Sequence, residues 1–510
     1  MAWTFDNSLS RAQDRWDATA TVTVGDVTRQ MDFDNVGLLS PKRLTGAHLY
    51  ADVNNFNSLI RNGTLPQQEA VRRLHLWQRE ASRIVDGLEA TKVHFQGPRL
   101  HAVAYRPISD QPTVAVKTVL LGSALRHSVT AFNEIVATDN AWSAAVGVDH
   151  GRVTVTKNGT KGDRELLFLG PAANHAAKIL PQTGIRISAA VADLLPGEFE
   201  SYLSETGGDF SVLMPRSDTE ELIDEYGWTW RFDDVRQRLT DAVEKYPTSS
   251  VTVSEPTGKF DKDDLRLSNT KQVHGTSVFA DVDGFTAMID GAVRSDPDLV
   301  DAVRSFHTLR SEGRDTAVQD FSAMRVQYQG DRMQALCYLP ASDVEEQTVA
   351  AVTMATALIS VASEVIPEVV PDGAAKPYAI GLATGDVLAT KIGEHGNRDF
   401  VVIGSSVAAA AAIQGRLEGG EIGFDSATRN ALPEWMRNLF PWNPTKQAYV
   451  ASDLTYNALM AAQEGAEDRA VTDALTSVAK ATGTFSPVTA TPRRIPAPAA
   501  TERRPWLRTR

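Results

Sequence analysis

An internal repeat is the feature that most limits what this 510-residue chain can fold into. Four stretches of the first half recur in the same order in the second half. In the first half they are residues 48–57, 93–105, 145–153 and 166–170. Asp52 thereby matches Asp281, and Gly170 matches Gly404, so the two copies lie about 230 residues apart. Two copies predict two similar domains that pair within one chain, rather than an extended array.

Within each copy, strand-like and helix-like stretches follow the order β-α-α-β-β-α-β. This order predicts an α+β fold, in which helices pack on a mostly antiparallel sheet. Helices are predicted over residues 66–88, 114–133, 298–321 and 345–366. The last of them is expected to end before Pro367, because the residue that precedes a proline disfavours the helical conformation.

The same pattern divides the chain into five parts. They are an N-terminal extension (1–44), a first domain (45–195), a linker (196–270), a second domain (271–464) and a disordered tail (465–510). Residues 19–24 of the extension are strand-like, and residues 233–245 of the linker predict an amphipathic helix. The linker aromatics Trp228, Trp230 and Phe232 are expected to pack on a domain. The tail is rich in Thr, Pro and Ala, which is typical of disorder.

Composition argues against several classes of partner. The net charge of −13 and the isoelectric point of about 5.3 do not favour nucleic acid or anionic lipid. No apolar run approaches the ~20 residues of a membrane span, and the N-terminus lacks the features of a signal peptide. Cys337 is the one cysteine. It excludes an internal disulfide, is expected as a packed core thiol, and favours a reducing, cytoplasmic location.

A strand in the second copy delivers a carboxylate to a tight turn. The apolar stretch 278–280 is followed by Asp281, and Gly284 permits the turn that leads into a helix from Phe285. The N–H groups of such a turn point into one concavity, which suits a metal-bound phosphate.

A second carboxylate is expected nearby. Residues 326–338 predict a β-hairpin whose tip holds Gly330 and Asp331. Carboxylates on two adjacent strand ends can hold two divalent ions, and oxygen ligands favour Mg²⁺ or Mn²⁺. The alternative for each aspartate is a buried side chain that caps a turn.

These motifs resemble the class III nucleotidyl cyclases. The matching segments are Phe279 to Thr286, Gly330-Asp331, and Asp399 to Gly404. The Gly-Asp-Arg form of the second segment is similar to the bacterial antiphage pyrimidine cyclases, known as Pycsar cyclases. The resemblance implies an active site between two domains, with two Mn²⁺ or Mg²⁺ ions on one face and the base-binding and transition-state-stabilising groups on the other.

The resemblance also implies roles for individual residues. Asp281, Asp331 and the carbonyl of Val282 would hold the ions. The phosphates would be bound by the backbone N–H groups of Asp283, Gly284, Phe285 and Thr286. Asn174 would orient the ribose. Lys178 would stabilise charge on the α-phosphate. It stands where the family has an arginine, four residues after the asparagine, and it lacks the two hydrogen-bond donors that an arginine presents side by side.

The two copies have lost complementary halves of this site. The first copy keeps Asp52 but has Pro98 at the second aspartate position. The second copy has Ala408 and Ala412 where the first has its asparagine and lysine. Because each loss falls on the face that the other copy supplies, we expect one composite site per chain and a dead site opposite it.

The positions that read the base in purine cyclases of this family are His94 and Leu167 in the first copy, so neither purine pattern is present. Leu167 gives a purine edge no hydrogen bond, and an unpaired buried polar group costs about 1–3 kcal/mol. We expect Tyr50, His94, Arg99 and Leu167 to form a smaller base pocket. Arginine or histidine donors favour the two carbonyls of uracil, which favours UTP over CTP. The alternative for Tyr50 and Arg99 is packing within the sheet.

The sequence therefore predicts a pyrimidine nucleotide cyclase that makes 3′,5′-cyclic UMP, or cyclic CMP, and diphosphate. The resemblance implies a second messenger in antiphage defence that a separate effector protein reads. The alternatives are a purine (adenylate or guanylate) cyclase and an inactive, nucleotide-sensing pseudocyclase. We expect a monomer with an internal pseudo-dimer, or a homodimer.

Overall fold

The repeat in the sequence is a repeat of the fold. The structure is a computed structural model that describes residues 3–29, 33–158, 165–292, 295–370, 377–394 and 396–482. Both copies lie within one unit, Met1–Met460, and the residues from Ala461 onward form a separate unit.

The first copy is built on one nine-stranded sheet. Its strands are β1 (Gly25–Asp26), β2 (Lys42–Val53), β3 (Thr91–Gln96), β4 (Arg99–Ala104), β5 (Ala144–Asn158), β6 (Glu165–Leu169), β7 (Gly184–Ile187), β8 (Leu203–Thr206) and β9 (Asp209–Val212). The strand order is β3-β4-β2-β5-β7-β9-β8, with β1 beside β2 and β6 beside β5. Only the β1–β2 and β5–β7 pairs of this described sheet are parallel.

The second copy repeats this sheet. Its strands are β10 (Val253–Ser254), β11 (Thr270–Val282), β12 (Met324–Gln329), β13 (Arg332–Cys337), β14 (Tyr378–Glu394), β15 (Asn397–Ile403), β16 (Glu421–Phe424), β17 (Trp442–Asn443) and β18 (Ala448–Ser452). The order is β12-β13-β11-β14-β16-β18-β17, with β10 beside β11 and β15 beside β14. The predicted tandem α+β fold is confirmed.

Helices cover the sheets. In the first half of the chain they are α1 (Phe5–Ala18), α2 (Phe56–Arg61), α3 (Gln67–Gly87), α4 (Gln111–Ile135), α5 (Pro171–Lys178), α6 (Ala189–Ala192), α7 (Arg216–Glu225) and α8 (Phe232–Lys245). In the second half they are α9 (Phe285–Ala292), α10 (Asp296–Asp315), α11 (Val344–Ser360), α12 (Ile366–Val369), α13 (Ser405–Gln414), α14 (Ser426–Asn430), α15 (Glu434–Arg437) and α16 (Tyr456–Thr482). The four predicted helices all form.

The predicted helix end before Pro367 is wrong. A π-helical turn, Val361–Val365, connects α11 to α12, and Pro367 lies in the first turn of α12. The helix therefore continues through the π-helical turn, whose altered hydrogen-bond pattern directly precedes Pro367. Val344–Val369 is long and apolar enough to cross a membrane, but 72% of its apolar window is buried inside the protein. It is a core helix of the second copy, and Cys337 is buried in the same core cluster.

Most of the segment predicted as a linker belongs to the first copy. β8 and β9 extend the first sheet beyond β7, and α7 and α8 pack against α4. Trp228, Trp230 and Phe232 are buried in the core of this copy, as expected. The two strands were missed because they lie at the exposed edge of the sheet, where no alternation of buried apolar residues reveals them.

The N-terminal extension is mainly helical. Helix α1 packs against α10 of the second copy, where Nη2 of Arg11 lies 2.6 Å from Oε1 of Glu312 and 2.7 Å from Oδ2 of Asp320. Residues 19–24 form no strand, and the pairing occurs instead at β1. The predicted disordered tail is helical up to Thr482, within α16, and residues 483–510 lie outside the described residues.

Each copy extends its long hairpin, β5–β6 or β14–β15, against the other copy. The N–H of Gly393 on β14 donates to Nδ1 of His75 on α3 at 3.1 Å. His307 on α10, which matches His75, makes a similar contact: its Nε2 lies 3.3 Å from Oγ1 of Thr156 on β5. These paired contacts relate the copies by an approximate twofold axis, and the ends of β2 and β11 lie along the seam between them.

Candidate active site

Strand β11 positions the first aspartate. β11 pairs with β13 on one side and β14 on the other, so its backbone is fixed as far as Asp281 and Val282. Gly284 has a φ of +71°, which favours glycine, and α9 begins at the next residue. Asp281 is half-buried, and Oδ2 of its carboxylate accepts a hydrogen bond from Nε2 of Gln414 at 3.2 Å.

The second aspartate follows the turn of the β12–β13 hairpin. Gly330 has a φ of +72°, and Asp331 lies beside it, half-buried at the seam. Burial raises the pKa of Asp281, with Arg332 opposing the rise. Burial raises the pKa of Asp331 well above its usual range, and the nearby charge of Asp281 raises it further. Two carboxylates in this setting repel each other unless a proton or a cation lies between them.

This pair fits divalent cations. The donors are hard carboxylate oxygens, and a bound cation would offset the charge of Asp281 that helps to raise the pKa of Asp331. Among the described residues, no group of three or more His, Cys, Asp or Glu side chains clusters as a metal site. Further ligands would therefore have to come from backbone carbonyls, such as that of Val282, from water or from a phosphate. Class III cyclases generally use two divalent ions.

The turn predicted to bind the phosphates offers fewer free N–H groups than the sequence indicates. The N–H of Asp283 donates to the carbonyl of Pro377 at 2.9 Å, and its carboxylate accepts from the N–H of Gly419 at 2.9 Å. Asp283 is therefore engaged within the protein. The N–H groups of Gly284, Phe285 and Thr286 precede or open α9, where a helix leaves its N–H groups without helical partners.

Helix α5 brings the first copy to this turn. It lies directly on β5, because a Cβ atom at Gly147 would meet the carbonyl oxygen of Ala176 at 2.2 Å. α5 contacts α9, so Asn174 and Lys178 approach the turn from the opposite side of the seam. Asn174 is half-buried, and its Nδ2 has no hydrogen-bond partner. Lys178 is exposed in the last turn of α5.

The matching site on the other side of the seam is closed by an ion pair. Nη2 of Arg99 lies 2.7 Å from Oδ2 of Asp52, and Pro98 stands where the second aspartate would be. Ala408 and Val401 of the second copy line the remaining cavity of about 220 Å³ together with this pair. Arg99 is therefore engaged by Asp52 at the opposite site, and its place in the base pocket stays a prediction.

The other predicted base-pocket residues lie on the composite side. The Tyr50 ring stacks on the His101 imidazole, with centroids 4.3 Å apart and planes inclined by 8°. Burial raises the pKa of Tyr50, and the charge of Asp331 adds to that rise. Nε2 of His94 lies 2.8 Å from Nε2 of Gln96. Leu167 is buried in the core cluster of the second copy.

His94 belongs to a cluster with two histidines that were not predicted, His48 and His101. Nδ1 of His48 lies 3.2 Å from Nε2 of His101. Burial lowers the pKa of His48 to about 3 and that of His94 to about 4, and it lowers the pKa of His101 well below the usual value. All three imidazoles are therefore neutral at physiological pH. Residues 48 and 50 share one face of β2, because side chains alternate along a strand. This alternation is the sequence signal that could have placed His48 next to Tyr50.

Comparisons with known proteins relate this chain to nucleotide cyclases. Residues 269–456 match the family described as the adenylate and guanylate cyclase catalytic domain. A uridylate cyclase of Pseudomonas aeruginosa is 27% identical over 463 residues, which cover 86% of this chain and 88% of the relative. A uridylate cyclase of a Rhizobium species is 25% identical over 428 residues, or 78% of this chain and 80% of the relative. A crystal structure described as a class III adenylyl cyclase-like ATP-binding protein from P. aeruginosa matches with a TM-score of 0.76 and 25% identity, covering 91% of this chain and 100% of that one.

Proposed function

We propose that this chain, a class III nucleotidyl cyclase with two copies of the cyclase fold, converts UTP to 3′,5′-cyclic UMP and diphosphate at one composite site. One observation carries the proposal. The copy that holds Asp281 and Asp331 faces, across the seam, the copy that holds Asn174 and Lys178. The names of the two curated relatives, which match most of the chain, support uridine as the base.

The chain would act mainly by binding and orientation. Asp281 and Asp331 would hold two divalent cations, Mn²⁺ or Mg²⁺, which when bound lower the pKa of the ribose 3′-hydroxyl and neutralise the triphosphate. The N–H groups of Gly284, Phe285 and Thr286 would donate to the β- and γ-phosphates.

The first copy would stabilise the reacting centre. In the proposed step, the 3′-hydroxyl releases its proton to solvent and its oxygen attacks the α-phosphorus. The bond from that phosphorus to the β-phosphate oxygen breaks, and diphosphate leaves. Asn174, with its unpartnered Nδ2, would hold the ribose in line for this attack. Lys178 would stabilise the charge that develops on the α-phosphate oxygens.

The first copy would contribute residues that read the base. Leu167 gives no hydrogen bond to a purine edge, whereas the neutral His94 can donate to or accept from a pyrimidine. Tyr50, held by its stack on His101, would border the same pocket. We favour UTP over CTP on the names of the relatives and because uracil offers two carbonyl acceptors.

The biological setting follows from the resemblance to the Pycsar cyclases. We propose that the protein is cytoplasmic and that the cyclic nucleotide is a second messenger in antiphage defence, read by a separate effector protein. The paired copies would let a single chain form the complete site.

A nucleotide sensor without turnover is the second candidate. The P. aeruginosa protein that this chain resembles in structure is described as cyclase-like and ATP-binding. The substitutions at Pro98, Ala408 and Ala412 would also suit a chain that has given up catalysis. A purine cyclase with a rebuilt pocket is the remaining alternative.

The test is an incubation of the pure protein with Mn²⁺ or Mg²⁺ and each of the four ribonucleoside triphosphates, followed by mass spectrometry of the products. We expect cyclic UMP as the main product. Asp281→Asn should abolish it, while Asp52→Asn, the same substitution at the matching position of the closed site, should not. Binding without product would favour the sensor, and cyclic AMP or cyclic GMP as the main product would favour a purine cyclase.

A further inference from the structure

A buried arginine beside the composite site has no ionic partner. Arg310 on α10 is 4% exposed, and its guanidinium carbon lies 3.4 Å from the centre of the Tyr328 ring. Neither its Nε nor its Nη1 has a hydrogen-bond partner, and no ion pair holds it within the described part of the chain. A buried cation of this kind is unfavourable unless a ligand or water supplies acceptors.

The charge of Glu165 reaches Arg310, but its carboxylate is hydrogen-bonded by other donors. The N–H of Tyr328 donates to Oε2 of Glu165 on β6 of the first copy at 3.0 Å. The other carboxylate oxygen of Glu165 is 2.5 Å from Nη1 of Arg325. Glu165 is therefore already engaged by two donors, and Arg310 and Arg325 together carry one more positive charge than this carboxylate can balance.

Arg310 lies between the metal-binding and base-binding parts of the site. Tyr328, on which it stacks, is in the same hairpin as Asp331, and the N–H of Tyr328 is bound to the strand that carries Leu167. Burial raises the pKa of Asp331, and Arg310 opposes that rise. Burial lowers the pKa of His94, and Arg310 adds to that effect. Both residues are therefore within its electrostatic reach.

The matching position in the first copy behaves differently. His75 and His307 occupy matching positions on α3 and α10, so Gln78 matches Arg310, three residues further along. Nε2 of Gln78 donates to the carbonyl of Gly97 in its own hairpin at 3.0 Å. The copy without the second aspartate thus has a neutral side chain that hydrogen-bonds its hairpin. The copy with both aspartates has a buried cation with no ion pair among the described residues.

We propose that Arg310 donates a hydrogen bond to a carbonyl oxygen of the pyrimidine ring and is a specificity-determining residue, an inference that rests on the proposed cyclase function. The phosphates have their own donors at the α9 turn and at Lys178. His94 and Tyr328 instead line one cavity, and Arg310 stacks on the Tyr328 ring. The O2 carbonyl is common to uracil and cytosine, whereas O4 is present only in uracil.

The test is the kinetics of Arg310→Gln, which installs the residue of the first copy. We expect KM for UTP to rise by about 10-fold to 100-fold, the range for a lost hydrogen bond to a charged group. The inhibition constant of inorganic triphosphate should stay within about twofold, because that competitor has no base. CTP used as a competitor identifies the carbonyl: weaker inhibition assigns O2, and unchanged inhibition assigns O4.

Two further variants separate specificity from folding. Arg310→Met removes the charge but keeps the length, and its Tm should not fall, because no ion pair is lost. Arg304→Gln, the same substitution on the face of α10 that contacts Trp16, should leave KM for UTP unchanged. The proposal is overturned if Arg310→Gln weakens the binding of inorganic triphosphate as much as that of UTP, or if it leaves KM for UTP unchanged. If the wild-type protein makes no cyclic UMP, the proposed function fails before Arg310 is tested.

Discussion

Arg99 holds Asp52 through two donors, with Nε at 2.8 Å and Nη2 at 2.7 Å from the same carboxylate oxygen. Arg332, the matching residue of the second copy, does not hold Asp281 in this way. Its guanidinium instead donates to the side-chain oxygens of Gln329 and Gln414. The aspartate and the arginine therefore form an ion pair in the first copy, whereas the matching residues of the second copy do not hydrogen-bond each other.

The ion pair between Arg99 and Asp52 should contribute to stability and not to turnover. In Arg99→Gln, the carboxylate of Asp52 loses its charged partner, and we expect the free energy of unfolding to fall by about 1 kcal/mol. The kcat/KM for UTP should change by less than about twofold, since the pair lies at the opposite site. Urea unfolding and steady-state kinetics measure the two effects. Loss of activity without loss of stability would show that the opposite site takes part in catalysis.

The two buried aspartates should destabilise the metal-free protein. In Asp331→Asn, one of two repelling charges is removed, so Tm without metal should rise by on the order of 2 °C. The same variant should lose both the Tm increase caused by Mn²⁺ and the synthesis of cyclic nucleotide. Calorimetry with and without Mn²⁺ tests this, with Asp52→Asn as the matched control. A Mn²⁺-induced shift that persists in Asp331→Asn would assign the metal to other ligands.

Lys178 should act on kcat rather than on binding. Lys178→Ala is expected to lower kcat by about 100-fold, the usual effect of removing one group that stabilises transition-state charge, with a much smaller change in KM. Lys178→Arg keeps the charge and adds a second donor, so it should retain activity. Because the side chain is exposed, Tm should be unchanged in both variants. Equal activity of the alanine variant and the wild type would remove Lys178 from the site.

Acid should destabilise the seam between the copies. Burial lowers the pKa of His75 and His307 to about 3, well below the ~6.5 of an unfolded histidine. Below pH 6.5 the unfolded chain therefore binds protons that the folded chain does not, and stability falls as the pH falls. At pH 5 each residue should reduce the free energy of unfolding by roughly 1–2 kcal/mol.

Urea unfolding between pH 7.5 and 5 measures this slope. His307→Gln should flatten it, whereas the same substitution at the exposed His274 should not. An identical slope in His307→Gln and the wild type would mean that the buried imidazole is already protonated in the folded protein.

Removal of only one partner from the ion pair between α1 and the second copy should strongly reduce the stability of the protein. The Glu312 side chain is fully buried, so Arg11→Ala leaves its charge without a cation and should reduce stability by about 3–5 kcal/mol. The double variant Arg11→Met with Glu312→Leu removes both charges and should recover most of that loss. Chemical denaturation of the wild type, Arg11→Met, Glu312→Leu and the double variant forms a double-mutant cycle, and additive effects would contradict direct coupling.

The sequence was most informative where the chemistry depends on local pattern and on matched positions. The strand–turn–helix at Asp281, the hairpin tip at Asp331 and the loss of polar residues at Ala408 and Ala412 are all visible by placing one copy on the other. The four predicted helices follow from apolar periodicity, which survives in a buried helix.

The remainder depends on contacts that no local pattern records. Whether Arg99 faces the base or Asp52 is decided by side-chain packing at the seam, and both residues satisfy the same motif. Arg310 is about four helical turns into α10 and carries no motif, so only the fold brings it near the hairpin. Helix α1 was missed because the ion pairs that hold its polar face join Arg11 to Glu312 and Asp320, which are distant in sequence.

The Trp3 ring lies 4.8 Å from the Tyr456 ring, so the two ends of the unit that contains both copies meet on the second copy. The order of the copies along the polypeptide is therefore not dictated by the geometry of the seam. A circularly permuted chain, with a short linker from residue 456 to residue 3 and new ends in the exposed loop 255–259 before β11, should assemble the same composite site. Such a permutant would place the metal-binding copy first in the order of synthesis.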